Sequence, residues 1–123
     1  MKAYTDVEQS KRLAEILPIN TADCCYIEYC TSDNIELRYE GQPPMFLGDI
    51  PITEIEVEHI PCWSLAALLD ILPPIEGFRP IIDLDINLIR YEGNYRDKLC
   101  FNGNNLIDAC VEMIIKLNKE NLL

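Results

Sequence analysis

His59-Ile60-Pro61-Cys62 is the segment of this chain best suited to chemistry. A cysteine near a helix N-terminus is drawn towards thiolate by the helix dipole. His59 is the only histidine and is placed to serve as its base, which would make Cys62 and His59 a small thiol-dependent hydrolase. The simpler reading is a buried, inert Cys62 packed beside Trp63. Asp83 and Asp85 stand two apart. On a strand they would share one face, as carboxylates that bind a divalent cation or divide acid and base work do. The simpler reading is the polar face of an alternating strand. His59 and Cys62 have no second pair at ligand spacing, so no metal centre is expected. The five glycines form no phosphate-cradling loop, so no nucleotide or other cofactor is expected. No catalytic motif emerges, and catalysis by Cys62 with His59 stays as the alternative to a non-catalytic role.

Charge distribution says more than any motif. The chain has 123 residues with 10 Lys and Arg against 21 Asp and Glu, a net charge of −11. Residues 1–60 hold 12 acids and 4 bases. Between Arg38 and Arg79 there is no Lys or Arg, yet there are seven acids, among them Glu54, Glu56 and Glu58. Those three are the candidate acidic partner surface, suited to a basic host or phage protein. Mimicry of DNA charge is a sharper version of the same idea. A solvated acidic face that keeps the chain soluble is the simpler one. Direct nucleic-acid binding is not expected, because counterion release needs Lys and Arg against phosphate. Binding to an anionic membrane is not expected either. The apolar stretches fall well short of the roughly 20 residues a membrane span needs.

The elements that must position these residues follow from periodicity. Thr5-Asp6-Val7-Glu8 has the form of a capping box, and Leu13, Ile16 and Leu17 continue an apolar stripe to Pro18, predicting a helix over 5–17. Alternation at Cys25, Ile27 and Tyr29, a turn at 32–34, and alternation at Ile35, Leu37 and Tyr39 predict a hairpin. Ile55 and Val57 between glutamates suggest a third strand. Pro61 suits the first turn of a second helix, which carries Leu65, Leu68, Leu69 and Leu72 and stops at Pro73. Ile82, Leu84, Ile86 and Leu88 read as one strand, joined through a turn at 92–94 to a partner holding Leu99 and Phe101. Asn104 or Asn105 caps a last helix striped by Leu106, Cys110, Met113, Ile114 and Leu117, with Glu112 and Lys116 as an i,i+4 pair. The expected order is α-β-β-(β)-α-β-β-α. This is an α+β fold over 1–123 in a single domain, an antiparallel sheet with about three helices on one face.

Six cysteines, none in CxxC, are expected to be reduced, intracellular thiols. Met1 to Leu17 carries acids and a helical pattern instead of a basic start and an apolar run. No signal peptide is therefore expected, and the expected location is cytoplasmic.

Three segments carry a resemblance. They are Glu8 to Pro18 (EQSKRLAEILP), Pro61 to Pro73 (PCWSLAALLDILP) and Asn105 to Leu117 (NLIDACVEMIIKL). In that order they resemble small uncharacterised proteins encoded by prophages and mobile elements of Bacteroides-group gut bacteria. The resemblance covers the three helical segments, about a third of the chain. It implies an accessory, phage-type role inside a bacterial host and assigns no catalytic residue. Packing alone explains those segments. A partner-specific surface is expected in the acidic stretch between them, and oligomeric state is not legible.

Overall fold

The computed structural model describes residues 2–27, 44–46, 48, 59–92 and 99–123. Among the described residues the fold is α+β, with three α-helices and two three-stranded antiparallel sheets. The strands thus form two sheets where the sequence suggested one. The chain divides into two compact units, Thr5–Ser64 and Met1–Tyr4 with Leu65–Leu123.

In the first unit, helix α1 is Val7–Ala14. Its cap is Asp6, not Thr5. Asp6 Oδ1 accepts from the Gln9 amide at 2.8 Å, and Gln9 Oε1 accepts from the Asp6 amide at 3.1 Å. This is a capping box shifted by one residue. Thr5 is withdrawn from capping because it is buried and fully used elsewhere. Its amide donates to the Trp63 carbonyl at 2.9 Å, and its hydroxyl oxygen accepts from the Trp63 amide at 3.1 Å. That oxygen also shares a 2.7 Å hydrogen bond with Ser10 Oγ. Its carbonyl accepts from the Tyr26 hydroxyl at 2.7 Å. A short 3-10 turn, Ile19–Thr21, follows α1. It places Thr21 Oγ1 where the Trp63 indole donates to it at 2.9 Å. Buried polar groups are tolerated when all are paired, as here.

The sheet of this unit has β1 (Cys24–Ile27) at its centre, flanked by β2 (Met45–Phe46) and β3 (His59–Cys62). The segment His59–Cys62 is therefore an extended strand and not the first turn of a helix. Pro61 sits on an edge strand of this sheet, the position that tolerates a missing amide donor. Helix α1 packs on β3, and Leu13, Leu17, Tyr26 and Trp63 fill the space around it. The strands expected at 35–39 and 54–58 lie outside the described residues.

In the second unit, α2 (Leu65–Ile71) packs on α3 (Leu106–Lys119). Leu68 is its buried position, and Leu72, just beyond its end, is buried as well. Beyond Pro73-Pro74 the chain reverses at Ile75-Glu76-Gly77-Phe78, where Ile75 and Phe78 exchange both backbone hydrogen bonds at 2.9 Å. Glu76 and Gly77 have φ of 52° and 85°, as a primed turn requires. A Cβ on Gly77 would meet nothing within 4 Å, so the cost of side chains here is purely conformational. Gly77→Ala is expected to cost about 1–2 kcal/mol, and Glu76→Gly to raise stability instead. Denaturant midpoints of the two variants check both signs.

The second sheet is β4 (Ile81–Asp83), β5 (Leu88–Arg90) and β6 (Cys100–Asn102), in that order. The run expected as one strand, 82–88, is instead a hairpin, with a turn at Leu84-Asp85-Ile86-Asn87 and Asp83 paired with Leu88. Aspartate and asparagine decide this. Asp83 Oδ1 accepts from the Asp85 amide at 3.0 Å, an Asx turn, and Asn87 takes φ 50°, a region asparagine tolerates. The loop after β6 anchors the turn, with Gly103 N donating to Asn87 O and Asn87 Nδ2 donating to Asn104 O, both at 3.2 Å.

Helix α3 covers the inner face of the sheet along β5 and β6. Asn105 is its cap, its side-chain oxygen accepting from the Asp108 amide at 2.9 Å. Asp108, an acid in the first turn, also pairs with Lys2 at 2.9 Å. Lys116 pairs with Glu120 at 3.0 Å. The core holds Ile89, Tyr91, Leu99, Ile107, Cys110, Met113, Ile114 and Leu117. Burial pushes the Cys110 thiol up to about 12. Burial, then the neighbouring Cys110 charge, pushes the Tyr91 hydroxyl up to about 12. Tyr91 donates to the Pro73 carbonyl at 2.7 Å. The folded state therefore keeps both protons after the unfolded chain has begun to lose them. Stability from these groups is complete below about pH 9 and falls as pH rises towards about 12. Denaturant midpoints measured along that window should decline, and Cys110→Ala should flatten the decline.

Candidate functional site

The structure removes Cys62 from consideration as a free nucleophile. Cys24 and Cys62 face each other across β1 and β3, with Cα atoms 5.0 Å apart, and form a disulfide. Both are fully buried. The expectation of six reduced thiols fails at this pair. A bonded, water-excluded sulfur has no thiolate to activate, so Cys62 with His59 is not a thiol-hydrolase pair in this structure. His59 lies on the same strand opposite Ile27, and its side chain is outside the described parts. Beside the bond, Asp23 accepts from the Ser64 amide at 2.8 Å and from the Ser64 hydroxyl. Cys25 and Cys110 are free but buried, and burial pushes both thiols up, which makes them inert. Glu54, Glu56 and Glu58 lie outside the described residues.

Asp83 and Asp85 do not share a strand face. Asp83 ends β4 and is spent on the turn, while Asp85 lies within it. Among the described residues no group of three or more His, Cys, Asp or Glu could hold a metal ion. No helix among them is long and apolar enough to cross a membrane.

The surface that stands out is the outer face of the second sheet. Strand register puts Ile82, Ile89 and Phe101 on the inner, α3-covered side. Ile81 and Asp83, Leu88 and Arg90, and Cys100 and Asn102 are on the other. That face and the turn above it form a shallow cleft of about 460 Å³. Leu84 is 72% exposed, Ile86 53% and Ile81 37%, with the exposed Asp83 and Asp85 between them. Arg90 at the rim lies 3.6 Å from Glu92. Such a cleft has no nucleophile–base pair. It offers apolar side chains flanked by carboxylates, the makings of a contact with an apolar, cationic surface.

Sequence reasoning found Asp83 and Asp85 but missed Leu84 and Ile86. Alternation turned them inward as core. The Asp-x-Asp-x-Asn spacing was the signal for a turn that leaves them outside. Comparison of the chain with family models, with curated proteins and with solved structures finds no match.

Proposed function

We propose that this chain is a small accessory protein of the phage or mobile-element type that works without catalysis, by binding a basic protein partner. The observation that carries the binding role is the β4–β5 hairpin, which leaves Leu84, Ile86 and Ile81 exposed beside Asp83 and Asp85. A contiguous exposed apolar patch rimmed by polar groups is the kind of surface that meets another protein. The overall charge of −11 favours a cationic partner and speeds encounter with it. The phage-type origin rests on the three helical segments quoted above. Cytoplasmic residence belongs to the same proposal, and the Cys24–Cys62 bond pulls against it, since such bonds persist mainly in oxidising compartments.

The test is capture from a lysate of the source organism at low and moderate salt, using the natural chain and a Leu84→Ser, Ile86→Ser variant. Both positions are exposed, so the variant should melt like the natural chain. The expected outcome is one abundant partner, bound about 10–100-fold more weakly by the variant and released as salt rises. Equal capture by both chains would refute the hairpin as the binding surface.

A further inference from the structure

We propose, resting on the binding role above, that the partner docks by adding an extended basic and apolar segment as a fourth strand along the open edge of β4.

The sheet order leaves β4 at an edge. Its three residues pair with Leu88–Arg90 on one side, and among the described residues nothing pairs with the other. Folded proteins guard such an edge with charges, proline, a bulge, shortness or a covering loop, and on β4 the guards stand at the two ends, Pro80 and Asp83. Between them Ile81 and Ile82 are β-branched and apolar, and Arg90, the cross-strand neighbour of Ile81, lies 3.6 Å from Glu92. Main-chain hydrogen bonds would supply affinity, and alternate side chains would supply selectivity. Pro80 at one end and the Asp83 turn at the other confine the docking strand to about three or four paired residues.

The register states what that strand must look like. A residue beside Ile82 shares its face of the sheet with the half-buried Ile82 and, one strand further in, with the fully buried Ile89. An apolar, β-branched side chain there would cover Ile82. A residue beside Asp83 lies on the outer face among Asp83, Asp85 and the open cleft, where Lys or Arg is favoured. Charge also decides against a second copy as occupant. Two chains, each at −11, repel, whereas a cationic segment is attracted.

The probe is a capped synthetic peptide of alternating lysine and valine, titrated into the isotopically labelled full chain and followed by amide shifts and hydrogen exchange. Two comparison peptides are used, the same sequence N-methylated throughout and an alternating glutamate–valine peptide. The expected result is slowed exchange at Ile81–Asp83 with the lysine peptide. Binding should be at least about tenfold weaker for the N-methylated twin, and Asp85→Lys should weaken the lysine peptide about three- to tenfold. Equal binding of the parent and N-methylated peptides, with shifts confined to Leu84–Leu88, would overturn strand addition and leave the binding role standing. So would the absence of peptide binding while a protein partner is captured through Leu84 and Ile86. Slowed exchange at Ile81–Asp83 that rises with protein concentration alone would make the occupant a second copy and also overturn the proposal. Failure of the peptides together with failure of Leu84- and Ile86-dependent capture would remove the binding role itself.

Discussion

Replacing Cys24 and Cys62 with alanine together is expected to destabilise the Thr5–Ser64 unit by about 4 kcal/mol. The bond joins residues 38 apart in sequence. Closing a loop of that length removes about that much conformational freedom from the unfolded chain. The native state gains little strain relief in return, because the two residues are already direct partners in the β1–β3 register. Reductant should produce nearly the same loss in the natural chain and almost none in the double variant. Cys25→Ala on the same strand removes a buried free thiol and is expected to cost about 1 kcal/mol. A double variant as stable as the natural chain under oxidising conditions would mean that the bond contributes nothing to the fold.

The second large effect is expected at Trp63. It is fully buried, and Trp63→Ala should cost about 3–5 kcal/mol, combining lost burial with a cavity. Part of the loss is polar. The indole donates to Thr21 Oγ1 at 2.9 Å, and that hydroxyl donates onward to the Pro18 carbonyl at 2.6 Å. Trp63→Phe removes the donor and one of the two fused rings, so about 2 kcal/mol is expected. Both variants lack the donor, so the difference between them, read from denaturant midpoints, reports the packing of the ring that phenylalanine retains. Both leave the outer face of the β4–β5 hairpin unchanged in sequence, so any partner bound there should be bound as before by the folded fraction.

How far the sequence could be read depended on whether local rules competed. At α3 nothing competed. Apolar spacing, an asparagine cap and a first-turn acid all agreed, and the helix begins at Leu106 behind Asn105. At α1 the spacing points to a box from Thr5, and the box that forms is the overlapping one from Asp6 to Gln9. The choice was made by a long-range contact, the bonding of Thr5 to Trp63 58 residues away, which no local rule encodes. Pro61 looked like a helix start because that position needs no donor, yet a sheet edge needs none either. Only the pairing of β3 with β1 distinguishes the two. The same pairing created the disulfide, which cysteine spacing alone did not suggest.

The candidate surface was half legible for a similar reason. Period-two alternation over 82–88 describes a strand well, and it takes no account of the turn chemistry of Asp83, Asp85 and Asn87. The turn prevailed because a side-chain hydrogen bond and a tolerated positive φ were both available at the right places. That outcome moved Leu84 and Ile86 from expected core to exposed tip and split the presumed carboxylate pair. Cys62 moved the other way, from a candidate reactive thiol to a buried, bonded one.

The most direct test of the central claim, that the outer face of the β4–β5 hairpin is where this protein meets its partner, is hydrogen exchange on the full chain with and without the captured protein. Slowed exchange concentrated in residues 81–90, absent with the Leu84→Ser, Ile86→Ser variant, is the predicted result. Protection elsewhere, with residues 81–90 exchanging as in the free chain, would contradict it.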